Sequence, residues 1–216
     1  LGDVYKRQHE HGEESSKDSG KTGRCFTGSG PVTWNHNHHG DGICDLNGNV
    51  WEWNAGMRLV DGEIQIIPYN NAAMGSKCDM SASSTLWKAI KADGSLVEPG
   101  TAGTLKWDWV SGKIQLTSGA ITYKTDSGVG GQYKDMTLAS GLTAPEIAKM
   151  LLLYPDEPNG DYAGDYHWFN PVGERLPLCG GSWGHGANAG VFYLSLSNPR
   201  SDAYWTIGFR SAFVDL

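Results

Sequence analysis

The pair Asp61-Gly62 lies between two short alternating apolar runs, Met57-Arg58-Leu59-Val60 and Glu63-Ile64-Gln65-Ile66-Ile67. Asp-Gly between such runs marks a tight hairpin, because the favoured two-residue turn needs positive φ at both positions. The chain is therefore committed to antiparallel sheet near residue 61, and Val50-Trp51-Glu52-Trp53 extends that sheet region backwards. Ser111-Gly112 and Ser118-Gly119 punctuate a second β region, with strands predicted over 104–110, 113–117 and 120–125. Thirty glycines in 216 residues imply many turns and loops. Hydrophobic residues make up 39% of the chain, and nine Trp and nine Tyr supply burial that the aliphatic residues do not.

Two helices are expected. Leu86, Trp87 and Ile90 would share one face of a short helix over 83–92. Thr143-Ala144-Pro145-Glu146 has the form of a capping box with an early proline, predicting a helix to about Leu153, before Pro155. Residues 156–190 read as loop. The run 191–197 then alternates, which sends Phe192, Leu194 and Leu196 to the core and turns Tyr193, Ser195 and Ser197 the other way. In a last strand over 205–210, Ile207 and Phe209 face inward and Thr206 outward. Residues 1–30 are polar and read as a disordered tail or linker, within which LGDVYKRQ reads as an assembly remnant; order is expected from about Pro31.

The formal charge is −7 and no basic stripe is present, which disfavours nucleic-acid binding. No apolar run reaches the length of a membrane span. Cys25, Cys44, Cys78 and Cys179 form no paired motif, so buried thiols are expected rather than zinc ligands. One disulfide stays open if the protein meets an oxidising environment.

Three motifs follow in order: Gly48-Asn49-Val50-Trp51-Glu52-Trp53, Gly180-Gly181-Ser182-Trp183 and Gly208-Phe209-Arg210-Ser211-Ala212. Together they resemble the formylglycine-generating-enzyme (sulfatase-modifying factor) subtype of the C-type lectin fold. Gly42-Ile43-Cys44-Asp45-Leu46-Asn47 leading into the first motif resembles gut phage and prophage versions. The run 180–214 is similar to the variable segment of diversity-generating-retroelement target proteins. The resemblance implies an α+β C-type lectin fold over 31–216, loop-rich with short antiparallel sheets and a few helices. Residues 85–135 would be an insertion.

Such proteins display a hypervariable surface on a rigid scaffold, as phage receptor-binding or bacterial surface proteins. Here that surface would comprise Ser182, Gly184, His185, Ala187, Tyr193, Ser195, Ser197, Asp202, Tyr204, Trp205 and Thr206. Tyr and Trp give rigid contact area, and small polar residues adapt. Trp183 is expected in the core, and Trp205 could also pack inward beside Ile207. The implied activity is binding without catalysis. The partner would be a protein or glycan receptor on a cell surface, met by a phage tail or a bacterial surface, with monomers and oligomers both open. No cofactor is required for binding.

The resemblance also implies a calcium site, structural where occupied, from the side chains of Asp45 and Glu52 and the carbonyls of Gly48 and Val50. The competing reading pairs Glu52 with an arginine such as Arg210. Enzyme readings are weaker. The family's formylglycine chemistry uses a cysteine pair between the second and third motifs, and this chain has no cysteine from Ser182 to Gly208. Gly180-Gly181-Ser182-Trp183-Gly184 lacks the spacing of a nucleophile elbow. His36 and His38, with Asp41, could grip a metal if 36–38 were strand. Glu157-Pro158-Asn159 matches a short motif of calcium-dependent sugar lectins, and turn chemistry accounts for it equally.

Overall fold

The computed structural model describes residues 24–157, 160–162 and 164–210. Thirteen short strands join into one mixed sheet. They are β1 (Trp51–Trp53), β2 (Met57–Val60), β3 (Glu63–Ile66), β4 (Lys88–Ile90), β5 (Leu96–Val97), β6 (Lys106–Val110) and β7 (Lys113–Thr117). Then come β8 (Val129–Gln132), β9 (Thr137–Leu138), β10 (Tyr166–Phe169), β11 (Glu174–Cys179), β12 (Leu194–Asn198) and β13 (Ile207–Phe209). The main path runs β8-β10-β12-β11-β2-β3-β6-β7-β9; β1 and β13 branch from β11, and β4 and β5 from β3. Three pairs are parallel: β1 with β13, β7 with β9, and β10 with β12.

The expected α+β architecture is therefore corrected to a mostly β one. A continuous mixed sheet replaces the separate short antiparallel sheets, and the described residues hold a single α-helix, α1 (Glu146–Met150). The capping box does not form: Pro145 is the N-cap and no side chain caps the helix. Leu152, at φ 59, ends it early. The helix expected over 83–92 is a turn leading into β4. Asp79 and Ser84 side chains accept the backbone N–H groups of Ser81 and Leu86 and so hold a non-helical path. Leu86 is exposed, whereas Trp87 is buried and donates from Nε1 to the Ser81 carbonyl.

The hairpin is as the sequence demands. Met57 to Val60 pair with Ile66 to Glu63 around Asp61 (φ 47) and Gly62 (φ 81). A second hairpin, β6–β7, closes on Ser111-Gly112. No strand forms over 120–125; that segment wraps Asp108 instead. The Asp108 carboxylate accepts N–H groups of Trp109, Thr122 and Tyr123 and the Thr122 hydroxyl, all within 2.9 Å. Burial opposes its charge, but these bonds hold its pKa below the usual range.

Residues 85–135, expected as an insertion, contribute to the main core. Ile90, Leu105, Trp107, Ile114, Leu116 and Tyr133 sit in the main core beside Leu59, Ile64, Phe169, Leu194 and Leu196. Nor is 156–190 all loop, since it contributes β10 and β11. Pro177 is accommodated where the β11–β12 register shifts, between Leu176 and Leu178.

The expected tail boundary moves as well. Residues 1–23 lie outside the described residues, but 24–30 are engaged. Asn49 exchanges two 3.1 Å hydrogen bonds with the backbone of buried Cys25, and Gly28 donates to Asp45.

Candidate ligand-binding cleft

The strand β12 lies between β10 and β11, so both of its edges are hydrogen-bonded. Leu194 and Leu196 enter the main core. On the other face, register places Trp168, Ser195 and Leu178 side by side across β10, β12 and β11. Trp51, Leu178, Ala189 and Tyr193 form a second core there, with Trp53, Tyr166, Trp168 and Ile207 packed against it. A cleft of about 410 Å³ opens above this row. Trp51, Gly128, Trp168, Leu178, His185, Ser195, Ser197, Asn198, Asp202, Tyr204, Thr206 and Ile207 line it.

Tight local geometry builds one wall. Gly180 and Gly181 both have positive φ, and a Cβ at Gly180 would lie 2.6 Å from the Leu46 carbonyl oxygen. At Gly181 it would meet Ala189 and Tyr193 below 3 Å. The Gly48 N–H donates to the Gly180 carbonyl at 2.9 Å, tying the first motif to the second. From this corner Ser182 turns the chain back so that its N–H and hydroxyl both lie 3.0 Å from His185 Nδ1. Accepting a backbone N–H fixes Nδ1 as the unprotonated nitrogen, so Nε2 carries the proton. Burial lowers the His185 pKa, keeping the ring neutral. The ring packs edge-on against Trp51, centroids 4.9 Å apart.

The opposite wall is polar. Ser195 Oγ donates to Asn198 Oδ1 at 3.3 Å, and Asn198 Nδ2 donates to Asp202 Oδ2 at 2.6 Å. The Ser197 hydroxyl is buried with no hydrogen-bond partner among the described residues. Tyr204 stands 60% exposed at the rim.

Six of the eleven residues named from the sequence thus meet in one cleft: His185, Ser195, Ser197, Asp202, Tyr204 and Thr206. The others do not. Tyr193 is 2% exposed, contrary to its outward expectation. It precedes β12 rather than belonging to it, so the alternation does not place it, and its hydroxyl accepts Trp168 Nε1–H at 3.1 Å. Burial pushes its pKa up to about 12. Ser182 is buried and acts on His185. Gly184 is exposed, off the cleft. Trp205 is half-buried against Trp183, which is itself only half-buried rather than core. The Ala187 side chain and residues 211–214 of the expected variable segment lie outside the described residues. Trp51, Trp168 and Asn198 were missed; Trp168 falls in the stretch read as loop, and the aromatic run Tyr166-His167-Trp168-Phe169 was the available signal.

The inward set also needs correction. Leu194 and Leu196 are buried and Phe192 packs partly on the main core, but Ile207 is half-buried and Phe209 is 78% exposed.

Of the four residues proposed for calcium, Glu52 is held by the arginine of the competing reading. Arg210 Nη2 and Nε donate to the two Glu52 carboxylate oxygens at 2.7 and 3.0 Å. Arg210 also donates to the carbonyls of Cys44 and Asp45, at 2.9 and 3.3 Å. The positive charge at this motif therefore comes from the chain itself. The Asp45 carboxylate turns to the Gly28 N–H, and burial raises its pKa. Among the described residues no cluster of His, Cys, Asp and Glu could hold a metal ion. His36 is not on a strand with His38; its Nδ1 accepts the Ile43 N–H at 2.8 Å, and His38 has a positive φ. Pro158 and Asn159 of the lectin-like tripeptide lie outside the described residues. All four cysteines are free thiols, and burial raises the pKa of Cys179.

No protein-family model matches the chain, and no curated protein is significantly similar to it. Among the described residues no helix is long and apolar enough to cross a membrane.

Proposed function

We propose that this protein is a non-catalytic binding module that meets its ligand through the cleft and the surrounding 182–206 surface. It would serve phage host attachment or recognition at a bacterial surface, with codons of this surface rewritten by a retroelement. The carrying observation is convergence: His185, Ser195, Ser197, Asp202, Tyr204 and Thr206, separated by up to 21 positions, line one concave site on a buried strand framework. Polar and aromatic groups on a rigid support suit recognition that must tolerate changes of side chain.

The arrangement gives catalysis little support. Ser182 is buried and its hydroxyl faces the same nitrogen as its own N–H, so His185 Nδ1 is held in a local turn. Cys179 stands without a second cysteine in hydrogen-bond reach, and burial disfavours its thiolate.

The test is deep sequencing of the 3′ end of the gene in its source community. Substitutions should concentrate at the cleft codons and spare those of Leu194 and Leu196. A uniform sequence from Ser182 to Thr206 would overturn diversification.

A further inference from the structure

We infer that a second pocket, formed by α1 and the turn between β1 and β2, takes a small uncharged lipophilic molecule. It shares no lining residue with the cleft and does not depend on the role proposed for it.

The pocket holds about 480 Å³, within the range of small-ligand sites. Its wall is gathered from α1, the β1–β2 turn, the chain leaving β3 and residues 191–194. Ile66, Ile67 and Leu194 are its buried lining, whereas Tyr69, Met150 and Val191 stand 87%, 80% and 57% exposed. Three large apolar side chains from separate segments, left in water around one concavity, mark a contact surface rather than scattered exposure.

The backbone points to the same place. Among the described residues eight other than glycine have positive φ, and six of these are Asn, Asp, His or Ser. The two bulky exceptions are Tyr69 (φ 60) and Leu152 (φ 59), and both line this pocket. A left-handed backbone strains a tyrosine, and folding gains little from a ring that stays in water. A ligand packed against that ring accounts for the strain.

Charge complementarity sets the ligand class. No Asp, Glu, Lys, Arg or His lines the pocket. A charged molecule would shed water there without meeting a countercharge, which disfavours fatty-acid anions and amphipathic cations alike. One polar contact is available. Asn54 is exposed and gives an amide N–H to Cys179 Sγ at 3.2 Å, which leaves its carbonyl oxygen to accept from a hydroxyl. A hydrocarbon chain or ring bearing one hydroxyl matches this lining.

The experiment follows the fluorescence of Nile red, an uncharged dye, with the full chain. Octan-1-ol, octanoate and octylammonium then compete, one chain with three heads. The dye should bind, and the two ions should displace it at least about tenfold less well than octanol. Met150→Glu, a change at an exposed position, should abolish dye binding and leave the thermal melt unchanged. Tyr69→Gly should raise the melting temperature, because glycine accepts a left-handed backbone, and yet weaken the dye about tenfold. A purely structural role for Tyr69 would not split the two readouts in that direction.

A parent that binds no dye, displacement by the ions equal to that by octanol, or binding indifferent to Met150→Glu overturns the proposal. So does a parent that sediments as a dimer and becomes monomeric with Met150→Glu, since a second copy then occupies the pocket.

Discussion

The two faces of β12 are built from the same five residues and solve opposite problems. On one side Leu194 and Leu196 join a core in which Trp107, Leu116, Tyr133 and Phe169 are essentially inaccessible. On the other, Ser195 and Ser197 look into a cleft closed by an irregular segment rather than by another sheet layer. Sheet pairing fixes the backbone for both faces, so side chains on the cleft side can change without moving the strand. The proposed binding role would use this asymmetry, with stability concentrated on one face and contact on the other.

The sharpest way to break the comparison is to damage the closed face. Trp107 is fully buried, meets His167 and Phe169 ring to ring, and donates from Nε1 to the Leu153 carbonyl. Trp107→Ala should cost about 3–5 kcal/mol in chemical denaturation. Tyr204→Ala, on the cleft rim, should stay within about 0.5 kcal/mol. Equal losses at the two sites would show that the faces share one cooperative packing unit.

Acid should strike the same face. His167 is fully buried, stacked on Tyr133 with centroids 4.4 Å apart, and bonded through Nε2 to the Leu152 carbonyl. Desolvation pushes its pKa down to about 4 from the ordinary 6.5. The unfolded chain therefore binds a proton that the folded chain refuses. Stability from this residue is full above pH 6.5 and is lost as pH falls toward 4, by roughly 3 kcal/mol in all. Denaturation curves of the parent and His167→Gln should diverge in slope across that window. A parent curve as flat as the variant's would mean that the ring reaches water.

Much of the closed face was legible. The β2–β3 hairpin follows from Asp61-Gly62, and β7 matches its predicted bounds, because turn chemistry and alternation act locally. What escaped depends on long-range pairing. The strand β10 carries large aromatic side chains on both faces and so shows little polar alternation, and β11 carries Pro177 at a register shift. The segment after Thr143 does start a helix, but without the expected capping box, and the chain turns at Leu152 to bring Leu153 under Trp107. For the cleft, periodicity separated Ser195 and Ser197 from Leu194 and Leu196 correctly. It misjudged depth, since a second layer of aromatics lies over that face. Tyr193 was misplaced because β12 begins at Leu194, three residues after the start of the alternating run.

Away from both faces, Arg210 ties the last strand to the first motif. Its guanidinium holds Glu52 of β1 and the carbonyls of Cys44 and Asp45. Arg210→Ala should cost about 1–3 kcal/mol, since Glu52 then sits half-buried without its partner. Because the arginine supplies the charge here, calcium and chelator should leave the melting temperature of the parent unchanged. A rise in calcium would show that the ion competes for Glu52.

The smallest effect should come from Phe209. Its place in the Gly-Phe-Arg motif and beside Ile207 in the alternation argues for burial, yet it is 78% exposed. Its backbone aligns with Trp53 of β1 in a parallel pair, so the strand is held by main-chain bonds and by Arg210 rather than by the ring. Phe209→Ala should therefore shift stability by no more than about 0.5 kcal/mol. The ring sits on the strand that leads out of the cleft through Ile207, where an exposed aromatic can serve contact rather than folding. A loss of several kcal/mol would place Phe209 in the core and move the outer limit of the binding face inward to Thr206. A neutral result with weakened cell binding would extend that face to the end of β13.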